Sequence, residues 1–286
     1  MMTAPPASTS SRHSSLELHF ALDPDRDRTT VQHRHLGDLR ILASLYPESA
    51  RVCHQVLVHP PGGLVGGDTV AIAARVGRGA HALLTTPGAT RFYRSTGARA
   101  TQTVDAHLEA DARLEWLPLE TLAYRGCDAE NRSRFVLAPG AEMFAWDLVG
   151  LGLPASGAMF DIGRFTQHLE FPGLWLERGQ IAAGDHTLLN SPGGMHHHGA
   201  VATLVHACGV PIPADRRDAL LEAARHFAAP APAFPSGATS PHPQIVVLRA
   251  IADRVEPLAT LLRTVWAAWR RIAWNLPPCA PRIWAT

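Results

Sequence analysis

Between Thr69 and Val76 apolar side chains fall on every second position: Val70, Ile72, Ala74 and Val76 alternate with Thr69, Ala71, Ala73 and Arg75. A strand with one buried face has this period. Gly77-Arg78-Gly79 interrupts the run, a second one opens at His81 and closes near Thr86, and Pro87-Gly88 breaks the chain again. Val104, Ala106 and Leu108 alternate with Thr103, Asp105 and His107, and residues 131–137 and 141–149 read as two strands about the turn Ala138-Pro139-Gly140. Strands spaced by about 8–12 residues without intervening helices predict an all-β sandwich or a solenoid-like stack. The sequence shows no clean repeat at a fixed period.

The helical period is confined to the last third. Residues 213–227 place Leu220, Leu221, Ala224 and Phe227 on one stripe, with Asp215 and Asp218 near the start. Residues 255–275 carry Leu258, Leu262, Val265, Trp269 and Ile272 at three- and four-residue steps, with Arg263, Arg270 and Arg271 off that stripe and Pro277-Pro278 as a stop. The Pro/Ala/Ser-rich stretch 228–243 reads as a loop, and 244–251 as a further strand. The predicted fold is therefore mostly β, a solenoid-like or stacked-sheet single domain over 16–286 with two helices in the C-terminal third. Polar residues 1–15 form a flexible lead-in.

Composition removes several classes of function. The 286-residue chain is 46% hydrophobic, sufficient for one sizeable core. Its 26 basic and 25 acidic residues leave a net charge of +1, so no strong field favours nucleic acid or an anionic membrane. Every basic residue is Arg, which excludes a Schiff-base or P-loop lysine. Cys53, Cys127, Cys208 and Cys279 lie far apart without a C-x-x-C pair, so no structural zinc site is expected. No apolar leader and no run of about 18 apolar residues occurs, and a reducing cytoplasm with free thiols is the expected setting.

The densest local signal is His59-Pro60-Pro61-Gly62-Gly63-Leu64-Val65-Gly66-Gly67-Asp68. Four glycines and two prolines imply a tightly built connection, which either ends in a polar site at Asp68 or uses that aspartate to cap backbone N–H groups. It is neither a P-loop nor a dinucleotide fingerprint, because no Gly-Lys-Ser/Thr follows and the next element is a strand. Together with Leu83-Leu84-Thr85-Thr86-Pro87-Gly88-Ala89-Thr90-Arg91-Phe92-Tyr93-Arg94-Ser95, Leu114-Glu115-Trp116-Leu117-Pro118-Leu119-Glu120, Trp146-Asp147, Gly150-Leu151-Gly152 and the ending Pro281-Arg282-Ile283-Trp284-Ala285-Thr286, this segment resembles the UreD (UreH) family of urease accessory proteins. The resemblance covers nearly the whole chain. Arg91 stands where the family often has Lys, and the triplet His196-His197-His198 is not a hallmark of it.

The resemblance implies a non-catalytic scaffold. It implies a complex with UreF, with the GTPase UreG through UreF, and with apo-urease. It also implies no tightly bound cofactor, and nickel(II) in transit through an internal polar tunnel. By motif, Asp68, Thr90 and Asp147 match positions along that tunnel, and Glu177 is a looser match. Carboxylates suit a conduit, which must hold nickel weakly at several points so that it leaves again.

Three other readings compete. His196, His197 and His198 either bind metal or sit in a solvated loop between Gly and Pro residues; the loop reading is favoured. A hydrolase, metal-dependent or built on a triad from residues such as Ser191 or Cys127 with Asp128, is the alternative from another class, but neither H-E-x-x-H nor G-x-S-x-G is present. Glu115 and Glu120 read as strand-edge charges around Pro118 rather than an acid/base pair. A scaffold with no metal role is the closest competitor, with Trp266 and Trp284 as interface candidates.

Overall fold

The computed structural model describes residues 11–228 and 234–285. Chain order is β1 (His13–Asp23), β2 (Arg28–Leu36), β3 (Arg40–Ile41), β4 (Val52–Val58), β5 (Thr69–Val76), β6 (His81–Thr85), β7 (Thr90–Phe92), β8 (Ala100–Leu108), β9 (Arg113–Trp116), β10 (Thr121–Ala123), β11 (Asp128–Leu137), β12 (Glu142–Leu151), β13 (Arg164–Phe171), β14 (Trp175–Ala182), α1 (His186–Asn190), β15 (Ala200–Cys208), α2 (Ala214–Ala228), β16 (Ser236–His242), β17 (Ile245–Ala252) and α3 (Val255–Trp274). The mostly-β, solenoid-like expectation holds. A seven-stranded sheet runs β14-β13-β11-β8-β5-β1-β2, and a larger sheet runs β16-β17-β15-β12-β9-β6-β4-β3 with β10 and β7 attached.

The central strands of both sheets are parallel, and the chain passes from one sheet to the other through three superposed turns. Ala80, Ala112 and Ala141 each donate to the carbonyl three residues back, on Gly77, Glu109 and Ala138. Each of these alanines follows a left-handed residue: Gly79 (φ 67°), Asp111 (φ 62°) and Gly140 (φ 80°). Thr69 pairs with Thr101, and Ala100 with Ala129, so one coil takes about 30 residues. The repeat is one of geometry: a left-handed residue and then a fully buried Ala at the corner.

Two apolar layers result. Leu16, Leu18, Ile72, Val104, Phe135 and Met143 fill the space between the sheets. Phe144, Trp146, Leu204, Leu248, Leu262 and Trp269 fill the space between the larger sheet and the helices α2 and α3. Strand β12 is buried on both faces, with Met143, Ala145 and Val149 turned to one layer and Phe144, Trp146 and Leu148 to the other. A parallel strand covered on both sides reads as a continuous apolar run, and Asp147 is the polar break in it.

Several expectations are corrected. Residues 1–10 of the flexible lead-in lie outside the described residues, but His13, Ser14 and Ser15 already belong to β1, where parallel pairing with β5 orders them. Within the expected loop 228–243, residues 229–233 lie outside the described residues and β16 forms an edge strand on β17. Its proline is accommodated because the register shifts between Thr239 and His242, and edge strands tolerate proline at a bulge. The short helix α1 was not expected; Asp185 Oδ1 caps it by accepting from the Leu188 N–H at 2.9 Å. Among the described residues no helix is long and apolar enough to cross a membrane.

Candidate functional site

The Gly-rich segment and the Thr90–Phe92 strand form one structure. The Leu64 N–H donates to the Arg91 carbonyl at 2.7 Å and the Tyr93 N–H to the Leu64 carbonyl at 2.8 Å. The approach is close enough that a Cβ on Gly63 would lie 2.3 Å from the Tyr93 ring, which excludes any other residue there. Asp68 is buried at the end of the segment, where its carboxylate accepts from the backbone N–H groups of Arg12 (2.8 Å) and Val65 (3.0 Å). Asp68 is thus a turn cap. Thr90 lines a cavity of about 230 Å³ with His59, Thr86, Arg91 and Gln102, and Asp68 is not part of that lining. Burial holds the His59 imidazole below its usual range, against the opposing pull of Asp38 and Asp68, so the cavity wall is neutral there.

Asp147 and Glu177 come together although they lie on different sheets. Both line a second cavity of about 390 Å³ with Gln167, Gln180, Thr203 and Arg249. Glu177 is held by Arg249 at 2.6 Å and accepts from the Thr203 hydroxyl at 3.5 Å. Asp147 is raised to about 7, first by burial and then by the Glu177 charge. Its only side-chain hydrogen-bond partner among the described residues is the Asn131 amide, at 3.3 Å.

Hydrogen bonds through two amides link a residue of one cavity wall to a residue of the other. Gln102 of β8, Asn131 of β11 and Gln167 of β13 stand at one register level on the inward face of the smaller sheet. Gln102 Nε2 donates to Asn131 Oδ1 at 3.2 Å, and Asn131 Nδ2 donates to Asp147 Oδ2. Gln102 lines the Thr90 cavity, Asp147 lines the other, and the buried Gln167 Oε1 has no partner among the described residues. Hydroxyl, amide and carboxylate oxygens along this seam are hard, weak donors for a divalent cation. Sequence reasoning missed Gln102, Asn131 and Gln167; three amides at the same level of successive coils would mark them once the coil length was known.

Glu115 corrects a sequence reading. It is fully buried on the helix-facing side of β9 rather than at a strand edge. Its carboxylate accepts from His81 Nε2 (2.8 Å), Trp266 Nε1 (2.7 Å) and Arg270 Nε (3.2 Å). Burial alone would raise its titration point, but the His81 hydrogen bond and the charges beside it win, and Glu115 stays below the usual range. Burial likewise keeps His81 neutral and a donor. Arg270, also fully buried, reaches both Glu48 oxygens at 2.7 Å and the Pro277 carbonyl, and His54 closes the set on Glu48 at 2.8 Å. Trp266 is therefore spent on an internal contact and presents no surface of this chain to a partner.

Trp284 is half-buried. Its N–H donates to Thr85 Oγ1 at 2.8 Å, its ring lies 5.2 Å from Trp146 and 5.6 Å from Trp266, and the Arg263 guanidinium covers it at 5.1 Å. The tail closes over the larger sheet. Truncation before Pro281 is expected to cost about 2 kcal/mol in buried aromatic contact, read as a lower midpoint in thermal denaturation; an unchanged midpoint would make the docking incidental. His196 (φ 47°) and His197 (φ 66°) are exposed in a left-handed turn, and His198 Nδ1 pairs with Asp253 at 2.7 Å. Burial, with help from Asp128, pushes the Cys127 thiol up to about 11, which leaves it a poor nucleophile.

The family model for the UreD urease accessory protein matches residues 12–285. The urease accessory protein UreD of Paracidovorax citrulli is 56% identical over 274 residues, covering 96% of this chain and 99% of that protein. The proteins of the same name from Leptothrix cholodnii and Albidiferax ferrireducens are each 52% identical, again over 96% of this chain and 99% of theirs.

Proposed function

The chain belongs to the family of the UreD urease accessory protein, and on that premise we propose that it serves urease maturation as a non-catalytic cytoplasmic scaffold through which nickel(II) passes. UreF, the GTPase UreG acting through UreF, and apo-urease are its partners, and nickel is cargo rather than a resident cofactor. The observation that supports the nickel role is the hydrogen-bonded seam Gln102–Asn131–Asp147, which links a residue of the Thr90 cleft to a residue of the Asp147–Glu177 cleft. Among the described residues Asp147 has no ion-pair partner, while Glu177 is paired with Arg249. A buried carboxylate is costly without a positive partner, and a passing divalent ion supplies one. Asp68 stands outside both linings, and its carboxylate accepts from the backbone N–H groups of Arg12 and Val65. The path runs from Thr90 by the amide row to Asp147 and Glu177.

A scaffold with no metal role is the second reading, and the closed hydrogen bonds of Asp68 favour it. Co-expression with urease subunits, UreE, UreF and UreG separates the two. The double variant Asp147→Asn with Glu177→Gln keeps shape and hydrogen bonding but removes both charges. Nickel per urease active site is expected to fall several-fold while recovery of the complex is unchanged. Normal nickel content would leave the scaffold reading alone.

A further inference from the structure

Outside the seam one cluster of metal-ligating side chains stands out. Glu142, the first residue of β12, pairs with Cys208, the last residue of β15, and Phe144 pairs with His206. Residues two apart on a strand share a face, so His206 and Cys208 both turn towards the helices, as Glu142 does, on the opposite side of β12 from Asp147. His206 Nε2 lies 3.2 Å from Cys208 Sγ and 3.5 Å from Glu142 Oε2, and the three donor atoms lie within 4.8 Å of one another. An ion with metal–sulfur and metal–nitrogen bonds of about 2.3 and 2.0 Å separates tetrahedral nitrogen and sulfur donors by about 3.5 Å, and nitrogen and oxygen donors by about 3.3 Å. The donors already stand within a few tenths of an ångström of both separations.

We propose that Glu142, His206 and Cys208 bind one Zn(II) ion on the helix-facing side of the larger sheet. The absence of paired cysteines argues against a four-thiolate site, and this one has a single thiolate. A thiolate, an imidazole and a carboxylate in tetrahedral disposition form a zinc-type donor set. Three protein donors leave a fourth position for water, so the ion is exchangeable.

His206 is fully buried, with Nε2 turned to Cys208 and Glu142 and with Nδ1 unpartnered among the described residues. Cys208 is fully buried beside it, and a bound ion displaces the proton of its thiol. Binding therefore forms a zinc–sulfur bond, releases that proton to solvent, and leaves zinc, thiolate and carboxylate with no net charge. Trp274 Nε1 donates to Glu142 Oε2 at 2.8 Å, and the Phe144 ring packs 4.9 Å from His206, so two of the ligands are already oriented.

Arg216 occupies the place of a cation in the unliganded cluster. Its guanidinium reaches Glu142 Oε1 at 2.9 Å and Cys208 Sγ at 3.7 Å, while its buried Nε has no partner among the described residues. The side chain is 21% exposed, so it has a way out towards solvent. Zinc binding exchanges one positive group for another.

Co(II) titration of the purified full-length chain tests this. One equivalent is expected to bind with a thiolate-to-cobalt charge-transfer band, and Zn(II) should abolish the band. Cys208→Ala should remove it, whereas Cys53→Ala, Cys127→Ala and Asp147→Asn should leave it, which separates this site from the nickel seam. Arg216→Gln is expected to tighten binding about tenfold, because a guanidinium a few ångströms from a divalent ion opposes it. Should Cys208→Ala fail to fold, zinc-edge X-ray absorption of the unaltered chain decides, with one sulfur neighbour expected at about 2.3 Å. The absence of that sulfur, a band that survives Cys208→Ala, or weaker binding in Arg216→Gln would each overturn the site.

Discussion

Arg270→Met is expected to destabilise the chain by about 3–5 kcal/mol, the largest effect of any single substitution away from the apolar cores. The guanidinium stands between two carboxylates that are nearly or wholly out of water, Glu48 at 10% side-chain exposure and Glu115 at 0%. Met replaces its volume but leaves both negative charges facing each other in a low-dielectric interior. The cost is that of abandoned partners rather than of one lost contact. Adding Glu115→Gln to Arg270→Met should therefore restore part of the loss, since the neutral amide still accepts from Trp266 and no longer needs a counter-ion. Urea denaturation of the single and double variants reads the coupling. A loss below about 1 kcal/mol in Arg270→Met would show that water or a rearranged neighbour already screens the pair.

This network illustrates what the sequence conceals. Glu115 and Arg270 are 155 positions apart, and each reads locally as a surface charge: one beside a proline bend, the other off the apolar stripe of a helix. They become buried only because α3 lies across β9, and nothing in either segment records that packing. Local periodicity did far better. The alternation in β5 gave its limits, and the three- and four-residue steps gave α3 to within one residue. Strand β16 was hidden because proline and small residues pointed to a loop, and an edge strand next to a bulge tolerates them.

Thr90 lines one cleft and Asp147 and Glu177 line another, while Asp68 caps a turn, one of the two readings that its setting among glycines offered. Glu177 has no sequence motif around it and nevertheless shares a cavity with Asp147, because β14 folds back antiparallel on β13 and turns it towards β12. The amides of the smaller sheet stayed invisible for the same reason as the solenoid repeat. Gln102, Asn131 and Gln167 align only in three dimensions, through registers that follow from corner geometry rather than from residue identity.

Asp147→Asn is expected to stabilise the chain in neutral and alkaline solution while impairing its proposed nickel role. Burial and Glu177 raise this carboxyl from 3.8 to about 7. Below about pH 4 folded and unfolded chains are both protonated here, and the site contributes no pH dependence. Between about 4 and 7 the unfolded chain has lost its proton while the folded chain keeps it, so stability falls as pH rises. Above about 7 the folded chain carries the cost of a half-buried charge, on the order of a few kcal/mol. Asn carries no such charge and still meets the Asn131 amide. The variant should match the unaltered chain near pH 4 and melt several degrees higher at pH 8, at roughly 2 °C per kcal/mol for a chain of this size. Thermal melts at the two pH values check this, and equal midpoints at pH 8 would show that Asp147 is well solvated. The same charge that destabilises the empty fold is the one a divalent ion would neutralise, so added Ni(II) should raise the pH 8 midpoint of the unaltered chain more than that of Asp147→Asn. On the proposed nickel path, a carboxylate that is costly when empty is relieved when an ion occupies it, and oxygen donors bind such an ion weakly enough to release it.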